Sequence, residues 1–181
     1  MRFPIEGPPG SEQFQQIVEE FADRVYGIAL RVTGSEADAE DAMQEAFLAI
    51  FRGLGGFRGE SAFSTWVYRI AVNAALQVRR RRPPSEASLS ETGFDETHVR
   101  DWSDVRLESE AERQELAAAI EDGIRLLPEE LAVVVILRDV EGLSTNEAAA
   151  VLQIGEAALK SRLHRGRVLL RQHLAEFFAE R

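Results

Sequence analysis

Apolar residues recur three and four positions apart along almost the whole chain and alternate in no sustained stretch, a pattern that helices bury and strands do not. After Ser11, the series Phe14, Ile17, Val18, Phe21, Val25 and Ile28 predicts a first amphipathic helix. Ser35-Glu36-Ala37-Asp38 has the form of a capping box. It opens a second helix that buries Ala39, Ala42, Met43, Ala46, Phe47 and Ile50 and stops in the glycine-rich GLGGFRG. A third begins between Ser61 and Ser64 and buries Phe63, Val67, Ile70, Ala71, Ala74 and Val78. It ends in RRRRPP, where Pro83 and Pro84 lack the amide donors a continuing helix needs.

Residues 85–108 show no period and are polar and acidic, which predicts a flexible linker between a domain at 1–84 and a second at 109–181. The second domain resumes at another capping box, Ser109 to Glu112, with Leu116, Ile120, Ile124 and Leu127 as one stripe. Pro128 suits the first turn of a new helix, whose run LAVVVIL is apolar on nearly every side. A valine-rich run can also be a strand, but the preceding Pro-Glu-Glu, the helical neighbours and a stop at Gly142 favour a buried helix. The expected fold is all-α: two small helical domains joined by a flexible acidic linker. Its 181 residues, 45% of them apolar, suffice for two compact units.

Charge is segregated along this chain of formal net charge −10. Acids dominate from Glu12 to Glu45, arginines from Arg52 to Arg82, acids again from Ser85 to Glu112, and a basic strip, KSRLHRGRVLLR, begins at Lys160. Separate basic blocks hold phosphates locally while the acidic remainder discourages indiscriminate binding to polyanions. The absence of cysteine excludes disulfides, thiolate zinc sites and a cysteine nucleophile. His98 and His173 lack partners at ligand spacing, so no metal or other cofactor is expected. GLGGFRG follows a helix and lacks the lysine and hydroxyl of a phosphate-cradling loop. With no nucleophile, base and orienter in a plausible constellation, the chain is not expected to be an enzyme. No apolar run approaches membrane-spanning length and the N-terminus lacks a signal-peptide core. The expectation is a cytoplasmic protein without membrane insertion.

The stretch LSTNEAAAVLQIGEAALKSRLHRGRVLL, residues 143–170, carries the most specific pattern. Ser144 with Glu147 caps a helix of about two turns. The tight turn QIG leads into a longer helix with a seam at Leu159, Leu163, Gly166, Leu170, Leu174 and Phe177. Short helix, turn and basic helix form a helix-turn-helix, whose second element enters the major groove. Opposite the seam lie Ser161, His164, Arg165 and Val168, positioned to reach base edges, while Lys160, Arg162 and Arg167 flank them for phosphates. A solvated basic face would explain the strip alone, but not its agreement with the capped helix, the turn and the apolar support.

These residues carry a family resemblance. LLPEELAVVVILRDVEGLSTNEAAAVLQIGEAALKSRLHRGRVLL resembles the fourth conserved region of bacterial RNA polymerase sigma factors of the extracytoplasmic-function group. DAEDAMQEAFLAIFRGLGGFRGESAFSTWVYRIAVNAALQVRRRR resembles their second. The order is the family's, with a linker between. The resemblance implies a subunit that binds core RNA polymerase and directs initiation at specific promoters. Asp41, Gln44, Glu45 and Leu48, on the side of the second helix opposite Met43, Phe47 and Ile50, would dock on the polymerase clamp helices. By themselves they form an acidic face with no partner in the chain. The loop FRGES and the helix after it would capture bases of the melted downstream element, for which Phe57, Arg58, Glu60, Ser61, Trp66, Tyr68, Arg69 and Asn73 supply stacking surfaces, hydrogen bonds and cations. Phe63 and Trp66 also suit a core, and Asn73, Arg58 and Ser61 are the stronger candidates. Lys160, Ser161, Arg162, His164, Arg165 and Arg167 would read the upstream element in duplex DNA. Regulation by a separate anti-sigma polypeptide is implied, as is passage of the acidic linker through a basic polymerase channel.

The turn departs from the family, which usually has glycine followed by a small hydroxyl residue where this chain has Gln153-Ile154-Gly155. A left-handed Gln153 would cost about 1 kcal/mol relative to glycine; the alternative is a turn shifted by two residues, and in either case Gly155 is a weaker N-cap than serine. Gly166 inside the recognition helix costs about 1 kcal/mol relative to alanine, a cost consistent with close packing or with a slight bend. The rival reading is a helix-turn-helix regulator that binds operators without polymerase, and a third is an adaptor that binds polymerase but reads no promoter.

Overall fold

The structure, a computed structural model, describes residues 11–81 and 109–179. The expected linker at 85–108, Arg82 and the Pro83-Pro84 stop lie outside them. Seven α-helices and no strand occur among the described residues: α1 (Ser11–Thr33), α2 (Glu36–Gly53), α3 (Phe63–Arg80), α4 (Glu110–Leu126), α5 (Glu129–Val135), α6 (Thr145–Leu152) and α7 (Glu156–Ala179). A 3₁₀ turn, Leu54–Gly56, follows α2, and a π turn, Ile136–Val140, follows α5.

Helices α2, α4 and α6 start where a serine side chain replaces missing backbone partners. Ser109 and Glu112 cap α4 reciprocally, the serine amide donating to the carboxylate at 3.0 Å and the Glu112 amide donating to the hydroxyl at 3.1 Å. At α2 the Asp38 amide reaches the Ser35 hydroxyl over 3.5 Å. The apolar run Leu131–Leu137 is helical and entirely buried, so its lack of a polar face is met by packing on all sides. Each leucine, valine and isoleucine of the run contributes about 1.5–3 kcal/mol relative to exposure. The π turn extends this segment until Gly142, at φ 70°, ends it.

Helices α1, α2 and α3 pack pairwise as a three-helix unit; α5 lies against α7, and α7 is also flanked by α4 and α6. Two glycines admit α7 to this second unit. A Cβ at Gly166 would lie 2.8 Å from Val135 Cγ2, and one at Gly123 would collide with Leu170 Cδ1 and approach His173 Cδ2 to 2.9 Å. Gly166 thus serves close packing, the first of the two roles its sequence position left open.

The two units share one apolar interior. Helix α3 packs on α6, and α1 on α4, α5 and the π turn. Arg31 reaches Glu121 at 3.0 Å and Glu141 at 4.0 Å across this junction, and Arg80 meets Glu129 at 2.5 Å.

Candidate functional site

The first unit presents two adjoining surfaces. After α2, the 3₁₀ turn and Gly59, at φ 71°, bend the FRGES loop back over the start of α3. Phe57 anchors the loop, its ring 5.3 Å from both Phe63 and Trp66, and Phe63 continues the contact to Phe21 at 5.9 Å. The result is an open hollow of about 290 Å³ in which Phe57, Arg58, Glu60, Ser61, Trp66 and Arg69 converge. Phe63 is core, 7% exposed, whereas Trp66 is half-buried and forms part of the wall. Stacking surface, hydroxyl, carboxylate and two guanidiniums in one hollow suit an extruded base and its phosphate.

Tyr68 does not join them. It is 3% exposed, its ring is 6.0 Å from Phe21, and its hydroxyl accepts a 2.6 Å hydrogen bond from Arg24. The buried face of α3 is broader than its apolar spacing implied, because Thr65, Tyr68, Val72 and Ala75 form a second covered line. Asn73 is exposed but lies along α3 from the hollow. It lines a groove of about 520 Å³ between α2 and α3 with Glu45, Leu48, Arg52, Gln77 and Arg81.

On α2, Asp41, Gln44 and Leu48 are exposed, Leu48 by 46%. Phe51, also exposed at 43%, continues their face and leans edge-on against Phe14 at 5.0 Å. The spacing 44, 48 and 51 could have revealed this aromatic. The expectation of an acidic face without a partner in the chain fails at Glu45, whose carboxylate accepts hydrogen bonds from Arg81 at 2.7 and 3.4 Å. Thirty-six positions separate the two residues, beyond anything helical spacing reports.

In the second unit, Ser144 and Glu147 cap α6 reciprocally at 2.8 and 3.2 Å. The Ser144 hydroxyl also donates to the carboxylate at 2.6 Å, and this bond together with that of the Ser144 amide holds the Glu147 carboxyl below its ordinary range. Gln153 takes the left-handed conformation, φ 54° and ψ 40°, and its amide and that of Ile154 both donate to the Ala149 carbonyl. This double closure is how a helix ends at a left-handed residue. The Gly155 carbonyl then accepts the first bond of α7, from the Leu159 amide at 3.0 Å, as an N-cap does.

Of the predicted upstream residues on α7, Lys160, Ser161 and His164 are exposed and Arg165 is half-buried. Arg162 pairs with Glu130 at 3.1 Å. Arg167 makes two bonds to Asp139, at 2.9 and 2.5 Å, which raise its pKa. The flanking guanidiniums are thereby positioned by acids of the supporting α5 segment. Val168, placed outward by the seam, is instead 1% exposed, because α7 is enclosed on more than one side beyond Arg167.

Among the described residues no cluster of histidines and carboxylates could hold a metal, and no helix is long and apolar enough to cross a membrane.

The Sigma-70 region 2 profile matches residues 17–83 and the Sigma-70 region 4 profile residues 117–170. The chain is 35% identical to the RNA polymerase sigma-H factor of Pseudomonas aeruginosa, with 92% of this chain and 89% of that protein covered. It is 38% identical to the ECF RNA polymerase sigma-E factor of Haemophilus influenzae (87% and 85% covered) and 37% identical to that of Escherichia coli K12 (85% and 82%). Among solved structures, CnrH in complex with the cytosolic domain of CnrY has the same fold, at TM-score 0.67 and 24% identity over 92% of this chain and 90% of that one. So does the sigma factor RpoE in complex with the anti-sigma factor NepR from Bartonella quintana, at TM-score 0.65 and 18% identity over 91% and 98%. With a region 2 unit that joins an exposed α2 face to an aromatic hollow, and a region 4 unit built as a helix-turn-helix, the chain belongs to the extracytoplasmic-function group of RNA polymerase sigma factors.

Proposed function

We propose the following division of labour for this sigma factor. Asp41, Gln44, Glu45 and Leu48 dock the first domain on the clamp helices of core RNA polymerase. The loop hollow, through Arg58, Ser61, Trp66 and Arg69 with Phe57 and Glu60 as its frame, receives bases of the melted downstream element, with Asn73 further along the strand's path. Lys160, Ser161, His164 and Arg165 meet the upstream duplex, and Arg162 and Arg167 steady its phosphates. The domains divide at residues 85–108. The polymerase supplies the chemistry, the chain catalyses no reaction of its own, and it works in the cytoplasm under the control of an anti-sigma polypeptide.

The observation that carries this reading is the adjacency, within one three-helix unit, of an exposed carboxylate-and-leucine face and a hollow suited to unpaired bases. Transcription in vitro with core polymerase and a library of promoter fragments tests it. Initiation from a defined subset only when the chain is added is the expected result. Duplex binding without any effect on core polymerase would establish the operator-binding rival instead.

A further inference from the structure

The groove between α2 and α3 brings a docking carboxylate and a cation of the basic block into one ion pair, and the division of labour above makes no use of it. Arg81 caps the end of α3 and lays two guanidinium nitrogens on the two oxygens of Glu45. Both line the groove that also holds Arg52, Asn73 and Gln77. Amide side chains beside guanidiniums are the groups that take a phosphodiester and a base edge together.

We propose that the Glu45–Arg81 pair is a gate coupling polymerase docking to capture of the single DNA strand. This rests on the docking role of Glu45 proposed above. In the free chain the carboxylate neutralises Arg81, so a strand phosphate entering beside Asn73 must compete with Glu45 for the guanidinium. When a polymerase cation draws Glu45 away, Arg81 becomes a phosphate ligand. Linkage makes the effect reciprocal: a phosphate on Arg81 releases Glu45 for docking and strengthens it by the same factor. The side chains are 36% and 56% exposed, so water screens the pair and the coupling amounts to about two- to fivefold in an equilibrium constant. The pair biases the free chain against DNA and does not lock it.

The test is a double-mutant cycle on the full chain, titrating fluorescein-labelled oligothymidylate by anisotropy across a range of salt. Glu45→Gln should bind about two- to fivefold more tightly than the parent, and its log–log salt slope should steepen by about 0.7, the signature of one further single-strand phosphate contact. With Arg81→Gln already present, adding Glu45→Gln should change neither quantity. Arg81→Gln alone should raise affinity for core polymerase by the same factor that Glu45→Gln raises affinity for the strand. An equal gain from Glu45→Gln with and without Arg81 would be bulk charge and would overturn the gate, as would no gain. If the parent chain programs core polymerase but shows no Arg81-dependent gain, the gate falls and the proposed function stands. If it fails to program core polymerase, the proposed function falls whatever the oligothymidylate titration gives.

Discussion

Replacing Gly166 by alanine opposes two effects of known sign. In an exposed helix the change would stabilise by about 1 kcal/mol, since alanine restricts the unfolded chain and shields the backbone. Here the new Cβ would stand 2.8 Å from Val135 Cγ2 and 3.5 Å from both Cβ and the carbonyl oxygen of Leu131. Val135 is 1% exposed and β-branched, so its methyl has no alternative rotamer into open space. Overpacking of this kind costs about 1–3 kcal/mol. The net expectation is a loss of about 1 kcal/mol, read as a lower urea midpoint with an unchanged slope, or a fall of about 2–4 °C in melting temperature. Val135→Ala in the same chain should relieve the collision, leaving the double variant less destabilised than the sum of the singles by about 1 kcal/mol. Stabilisation by Gly166→Ala, or strict additivity with Val135→Ala, would refute the claim that backbone proximity selects glycine there.

Ser144→Ala should cost about 1 kcal/mol through loss of the α6 cap, measured by urea denaturation. Because Glu147 has its pKa lowered in the folded state, its contribution is complete above the ordinary carboxylate value and lost as pH falls through the lowered folded one. Glu147→Ala should therefore destabilise at neutral pH and converge on the parent in acid. Gln153→Gly should stabilise by about 1 kcal/mol by relieving the left-handed side chain, raising the melting temperature without altering DNA selectivity. Asp41→Arg should abolish promoter-specific transcription while leaving the helical circular dichroism intact, and retained core binding would reject the docking assignment. Arg165→Ala should change preference for the upstream sequence in duplex-binding competition, and indifference would remove it from base reading.

Local physics made much of the fold readable. The reciprocal caps at Ser109–Glu112 and Ser144–Glu147 needed only three-residue spacing, and the buried helix through LAVVVIL only its length and flanks. The missing glycine marked the turn at Gln153 to Gly155 as unusual, but choosing a left-handed Gln153 over a turn shifted by two residues required the backbone. What escaped depended on contacts between distant segments. One apolar period defines one buried face per helix, yet α3 buries Tyr68 on a second face and α7 buries Val168 opposite its seam. The Glu45–Arg81 and Arg167–Asp139 pairs span 36 and 28 positions, and neither leaves a trace in helical spacing. The loop residues of the hollow were legible as a composition; their convergence with Trp66 and Arg69 required the fold.

The apolar interior common to both units also puts a load on every ligand that needs them apart. Pulling α6 from α3, or α4 from α1, would wet side chains buried in that common interior, and the free energy of that wetting is subtracted from whatever grip the ligand achieves. Substitutions that loosen the seam, far from any nucleotide or polymerase contact, will therefore tighten such complexes, and the most cohesive variant of the solitary chain will be the weakest competitor for them.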